Sequence, residues 1–515
     1  MKTWQVTAAA CLALFPAAAA QIIPPTRGPF QVPSATGTCA VAKPCAELAP
    51  GMLRSALAPS PLEENLRYLT DFIGGRLTGS PAADRATGWA VEAFRHAGVD
   101  EVRAEKFTVA AGWSEGRTRA EVLAPAQFSL RLVSTGWSPA LPEGGITADV
   151  VDVGAGDDAG FASAGEAVKA VGGTIVLVHT NIPATWEDIR TARARNRAIA
   201  DRAKIAGAAA IFWMSARLNL LLGRETTSAD GQLESLPQAV VAREDAERIA
   251  RLLAVKQEVR VHFEMPNRAS GPAESENVVA EIRGREKPEE YVLVGAHLDS
   301  WDLGTGALDD GANAAALVDA ARVIHASGSV PRCSIRFALF TGNEQGMLGS
   351  RAYARTHQDE LGQIAAAVIF DRGAGPVMSY SLGGRKDALA PARDALDLLQ
   401  SFGVKEFTLD ADSWTDALPF ELEGVPTLVA RQEMGSSILD YHAASDTFDK
   451  VDVAAVKHNV AVVAVTAYAL ADAAERIGPR QSRAETEELL KQTGLGDEMK
   501  LEGLSDMWQG GGSGH

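Results

Sequence analysis

Three apolar runs in the second half of the chain each lead into an acid or a histidine. Residues 291–296 run into His297-Leu298-Asp299-Ser300, residues 337–340 into Thr341-Gly342-Asn343-Glu344-Gln345-Gly346, and residues 368–370 into Asp371. Short apolar runs bounded by turn residues read as buried strands. Helical stretches at 311–326, 388–402 and 453–476 alternate with them, and a further strand lies at 425–430. This alternation predicts an α/β fold, a mostly parallel mixed sheet flanked by helices. In such sheets ligand sites form at the carboxyl ends of the strands, where these polar residues fall.

Two further polar positions join them. Asp309-Asp310-Gly311 opens the helix at 311–326, and His442 lies in the loop Asp440-Tyr441-His442-Ala443-Ala444-Ser445-Asp446-Thr447. Taken singly, each residue has a blander role: Asp309 as a helix cap, Asp371 as a turn cap, Glu344 as a solvated loop charge. Together, two imidazoles and three carboxylates are the donors that zinc takes. They also suit a pair of cations, in which one carboxylate bridges ions ~3.5–4 Å apart. Asp299, two residues after His297, is placed to hold the far ring nitrogen of that histidine.

At 515 residues the chain exceeds one ordinary core. Residues 135–265 differ in character, with short buried strands, an Arg- and Ala-rich helix and none of the clusters above, and read as an inserted domain. The expected organisation is a signal peptide at 1–20, a Pro-rich segment at 21–55, a core at 56–134 and 266–476, the insertion at 135–265, and a tail at 477–515, flexible from about Glu485. Lys2, the apolar stretch 6–20 and Ala18-Ala19-Ala20 before Gln21 mark a cleavable export signal. It is shorter than the ~20 residues that span a bilayer and is interrupted by Pro16. Cys11 has too little apolar sequence before it for lipid attachment. The protein is therefore expected to be secreted or periplasmic, with no integral span after signal removal. Export permits a Cys39–Cys45 disulfide, whereas Cys333 reads as a buried thiol. A net charge of -17 argues against nucleic acid or an anionic membrane as partner.

The ordered motifs, His297-Leu298-Asp299-Ser300-Trp301-Asp302, Asp309-Asp310-Gly311, Asn343-Glu344-Gln345-Gly346 with Gly349-Ser350, Asp371, and Tyr441-His442 with Ser445-Asp446-Thr447, resemble those of the dinuclear-zinc exopeptidases. The secreted aminopeptidases and the carboxypeptidase Q-like enzymes belong to that superfamily, and the motifs look closest to the latter. Arg76-Leu77-Thr78-Gly79-Ser80 is similar to an N-terminal signature of these enzymes, the insertion resembles a protease-associated domain, and Thr415-Asp416-Ala417-Leu418-Pro419-Phe420 resembles a loop near their substrate cleft. The resemblance implies two Zn2+ ions bridged by Asp309, with His297 and Asp371 completing one site, Glu344 and His442 the other, and Asp299 orienting His297. It further implies hydrolysis of small peptides, and dimerisation.

The chain departs from that pattern at Asn343. The superfamily carries a glutamate there as general base, and an amide cannot accept that proton. General base catalysis contributes roughly 10²–10⁴-fold, so feeble hydrolysis is expected at an intact metal site. The competing expectations are a silent peptide-binding relative, a secreted aminopeptidase, or a glutaminyl cyclase, the last disfavoured by the large insertion. No His-Glu-x-x-His and no Gly-Lys-Ser or Gly-Lys-Thr occurs. His96, His179, His325 and His458 lie outside the motifs and read as structural or surface residues.

Overall fold

The computed structural model describes residues 45–167 and 171–509. The expected export signal and Cys39 lie outside them. Cys45 opens the helix Cys45–Leu57, within which Pro50 sits, so the last part of the Pro-rich segment is helical. The Cys45 thiol points at the carbonyl of Val465, 3.8 Å away.

The core sheet has eight strands, in the spatial order Glu101–Val109, Ala273–Ile282, Cys333–Phe340, Lys287–His297, Ile364–Phe370, Thr427–Gln432, Val377–Ser381, Glu406–Thr408. The four strands from Cys333–Phe340 to Thr427–Gln432 are mutually parallel, and antiparallel pairs flank them, giving the mixed sheet the sequence predicts. Both faces are buried, and the strands show it with period-two alternation. Val292, Val294 and Ala296 face one core with Ile335, Phe337 and Leu339. Tyr291 and Leu293 face the other with Ala338 and Phe340. Gly295 interrupts the first strand because a Cβ there would lie 2.7 Å from Ile369 Cδ1 and 2.8 Å from Phe340 Cε2.

The helices Cys45–Leu57, Ala312–Ala326 and Val453–Asp472 contribute to the larger core. Val453–Asp472 is apolar and long enough to cross a membrane by composition, but 72% of its most apolar window is buried within the fold. Its apolar character serves packing against the sheet.

A second eight-stranded sheet is built from 119–264. Its incoming strand Arg119–Ala124 pairs antiparallel with its outgoing strand Arg260–Glu264. The expected start of the insertion at 135 is therefore corrected to Arg119: alternating polar and apolar residues look alike in either sheet, and only this long-range pairing assigns the strand. The helix Trp186–Ile205 starts on a capping box between Thr185 and Asp188. Trp113, Trp137 and Trp301 pack together where the second sheet meets the core strand ends.

The expected flexible tail is also corrected. Residues 483–509 form three helices, Arg483–Thr493, Leu495–Glu502 and Ser505–Gln509, and Leu490, Leu495 and Met499 are buried against Trp414, Leu418 and Met347.

Candidate metal centre

His297, Glu344 and Asp371 meet because their three strands are neighbours. Cys333–Phe340, Lys287–His297 and Ile364–Phe370 run parallel in adjacent positions, about 4.8 Å apart as sheet strands are. Side chains just beyond their carboxyl ends thus share one edge. Asp309, before the helix Ala312–Ala326, and His442, in its loop, complete the cluster.

The five donors form two groups that share Asp309. His297 Nε2 lies 3.1 Å from Asp309 Oδ1 and 3.6 Å from Asp371 Oδ1. His442 Nε2 lies 3.0 Å from Asp309 Oδ2 and 3.0 Å from Glu344 Oε2. None of the five residues is more than 9% exposed. Asp309 Oδ2, Glu344 Oε1 and both ring nitrogens of His442 are buried without a hydrogen bond. Buried polar atoms lacking partners are costly, and a cation held by Asp309, Glu344 and His442 Nε2 would satisfy the carboxylates and one of the two ring nitrogens. The nitrogen and oxygen donors fit zinc.

Electrostatics agree with that fit. Burial opposes ionisation of Asp309, yet His297 and His442 hold its carboxyl well below the usual range. Burial opposes charge on His442 as well, but Glu344 and Asp309 outweigh it and push the imidazole up to about 9. His297 is likewise raised, against burial, by Asp310, Asp299 and Asp309. A field that draws protons onto two histidines also draws a dication, whose binding displaces those protons.

The support around the donors is only partly as expected. Asp299 meets His297 Nδ1 through its backbone carbonyl, at 3.0 Å, while the Asp299 carboxylate oxygen is 3.6 Å away. That carboxylate instead accepts from the backbone N–H groups of Asn343 and Glu344 and from Thr78 Oγ1. Asp299 thereby ties the His297 strand end to the Glu344 turn. Asn343 is buried beside the donors, and its Nδ2 donates to Asp371 Oδ2 at 3.2 Å and to Asp416 Oδ2 at 3.0 Å.

Three residues without an assigned role in the sequence reading hold the loops. Arg76, fully buried, donates to the carbonyls of Leu298, Gly74, Thr305 and Gly306 at 2.7, 3.2, 2.7 and 2.8 Å. Asp446 accepts from the backbone N–H groups of Ala307, Leu308 and Asp309. Asp310 accepts from His297 N at 3.0 Å. Gly306 is required in this clamp: its φ is +60°, and a Cβ would meet the Ser300 side chain at 2.3 Å. All three held residues sit inside the quoted motifs, which was the available signal.

A parallel-centred sheet with this donor set at its carboxyl edge is an arrangement suited to metal-dependent hydrolysis. Residues 277–467 match Peptidase family M28, which supports a metallopeptidase of the zinc exopeptidase superfamily. Carboxypeptidase Q of Rattus norvegicus is 29% identical over 416 residues, covering 80% of this chain and 86% of the relative. The human carboxypeptidase Q is 27% identical, covering 84% and 90%. Among solved structures, a peptidase M28 precursor from Shewanella amazonensis superposes with a TM-score of 0.76 at 28% identity, covering 85% of this chain and 99% of that one. A zinc aminopeptidase from Bacillus subtilis shares the fold, with a TM-score of 0.61 at 19% identity, covering 81% and 94%.

Proposed function

We propose that the chain is an exported exopeptidase that hydrolyses small peptides at two Zn2+ ions. The observation that carries this reading is Asp309, whose two carboxylate oxygens face two separate imidazoles, as a bridging ligand would. Asp309 then serves both ions, His297 and Asp371 one, and Glu344 and His442 the other. Zinc at these positions would polarise a peptide carbonyl and lower the pKa of a water molecule. The protein's own part is positional. Asp299 fixes His297 and the 343–344 turn, Asp446 fixes Asp309, and Asp310 fixes the His297 backbone.

Asn343 occupies the position at which the superfamily carries its general base. Its amide is engaged as a donor to two carboxylates and offers no site for a proton, so turnover is slow. This supports a second reading, a peptide-binding relative with little chemistry. The insertion, by resemblance a protease-associated domain, supplies the wall beside His442. Hydrolysis of free-ended and blocked dipeptides, with and without a chelator and alongside zinc analysis, separates the readings. Chelator-sensitive cleavage with two zinc ions per chain supports the peptidase; full zinc with no cleavage supports the silent relative.

A further inference from the structure

A cavity of about 420 Å³ opens against the second sheet, beside the loop that carries His442. Three arginines line it: Arg193, Arg195 and Arg217. Their side-chain hydrogen bonds go to neutral groups. Arg217 Nη2 donates to the Tyr441 carbonyl at 2.6 Å and Nη1 to the Ala216 carbonyl at 3.2 Å. Arg193 Nη2 donates to the Tyr441 hydroxyl at 2.7 Å, and Arg195 Nη2 to the His179 carbonyl at 3.0 Å. Among the described residues none of the three makes an ion pair within 4.0 Å. Asp188 also lines the cavity, but its carboxylate caps the helix by accepting from Ala184 and Thr185 N–H. Glu225 is the other acid of the lining.

Arg217 is only 4% exposed, and its Nε is buried with no partner, as are Arg195 Nε and Asn196 Oδ1. Buried cations normally have an acid paired with them, whereas Glu225 favours the charge on Arg193 and Arg217 only from beyond ion-pair distance. Guanidinium forks match the two oxygens of a carboxylate. Ile189, Trp213 and Met214 add apolar wall to the same space, which suits an organic anion better than a bare inorganic one.

We propose that this cavity is a binding site for the carboxylate of an amino acid or short peptide, held by Arg193, Arg195 and Arg217. The choice of a peptide or amino acid rests on the peptidase reading above. The site is joined to the metal-ligand loop at three points: Arg217 and Arg193 on Tyr441, and Arg224 N on the His442 carbonyl at 2.9 Å. An anion drawn to these guanidinium groups therefore acts on the segment that positions His442.

The test is calorimetric titration of the purified full chain, with and without chelator, using leucine, the dipeptide Ala-Leu, its C-terminal amide and inorganic phosphate. Leucine or Ala-Leu is expected to bind in both conditions, with the amide and phosphate at least tenfold weaker. Arg217→Gln and Arg195→Gln are each expected to weaken binding by about tenfold or more, with Arg195→Gln deciding if Arg217→Gln does not fold. Tighter binding of Ala-Leu assigns the site to the peptide's own C-terminus, and tighter binding of leucine to a released amino acid. Equal affinity for the amide, preference for phosphate, or folded variants that bind like wild type would overturn the proposal. Absence of hydrolysis by the wild type would instead overturn only the peptidase reading, because binding is also read in chelator.

Discussion

Asn343 donates to Asp416, its Nδ2 lying 3.0 Å from Oδ2. The same amide nitrogen reaches Asp371, so one neutral group separates two buried acids. Burial pushes Asp416 up to about 7, with the nearby Asp371 charge adding to the effect.

Asn343→Glu is expected to raise dipeptide turnover by roughly 10²-fold or more, the lower end of a general base's contribution, without changing zinc content. Flat turnover at full zinc content would refute the assignment of this position. Asn343→Leu removes the shared donor, and thermal unfolding should show a loss of about 1–3 kcal/mol for acids left unsatisfied.

Chelation should abolish hydrolysis and lower Tm, since a ligand bound only by the folded chain stabilises it by mass action. His442→Ala should halve the zinc content, and Asp309→Ala should remove nearly all of it, because Asp309 belongs to both donor groups. Metal analysis after dialysis reads the difference. Equal losses in the two variants would contradict the bridging role.

Arg76 makes four hydrogen bonds, one to the nearby Gly74 carbonyl and three to the Leu298, Thr305 and Gly306 carbonyls of the segment between His297 and Asp309. Arg76→Ala strands those acceptors in the interior. Denaturant unfolding is expected to show a loss of about 3–5 kcal/mol, several orphaned groups at ~1–3 kcal/mol each with partial relaxation. Zinc affinity should fall with it.

Glu234 gives a pH signature away from the metal centre. Burial holds its carboxyl up to about 7, against hydrogen bonds from Thr135, Thr227 and Thr226 that favour the ion. Between the ordinary glutamate value and about 7 the folded chain keeps a proton that the unfolded chain has released. Stability therefore falls as pH rises through that window and levels off above it. Glu234→Gln should show a smaller drop in Tm from about pH 5 to about pH 8. Parallel Tm curves for variant and wild type would contradict this.

Of the candidate donors, His297, Glu344 and Asp371 were legible because each follows an apolar run, and parallel neighbouring strands bring such ends together; Asp309 and His442 were legible only from the helix start and the polar loop that carry them. Arg76 and Asp446 lie within the motifs yet carry no role there, since all their partners but Gly74 are backbone groups 137 to 230 positions away, which side-chain patterns do not encode. The C-terminal helices were missed for another reason. Ser482 and Glu485 form a capping box, a start signal visible in the sequence, but the helix it opens is mostly polar and has the composition of a solvated tail. Asp299 meets His297 through its carbonyl rather than its carboxylate, which depends on backbone direction that spacing alone does not give.

The incoming and outgoing strands of the second sheet lie side by side, with Arg119 opposite Glu264, and a two-residue ladder continues the pairing from Ser114 and Arg268 to Trp113 and Ala269. An excursion of well over a hundred residues thus leaves and rejoins the host through a doorway one strand pair wide. Such a guest can be inserted without re-threading the host strands that carry His297, Glu344 and Asp371.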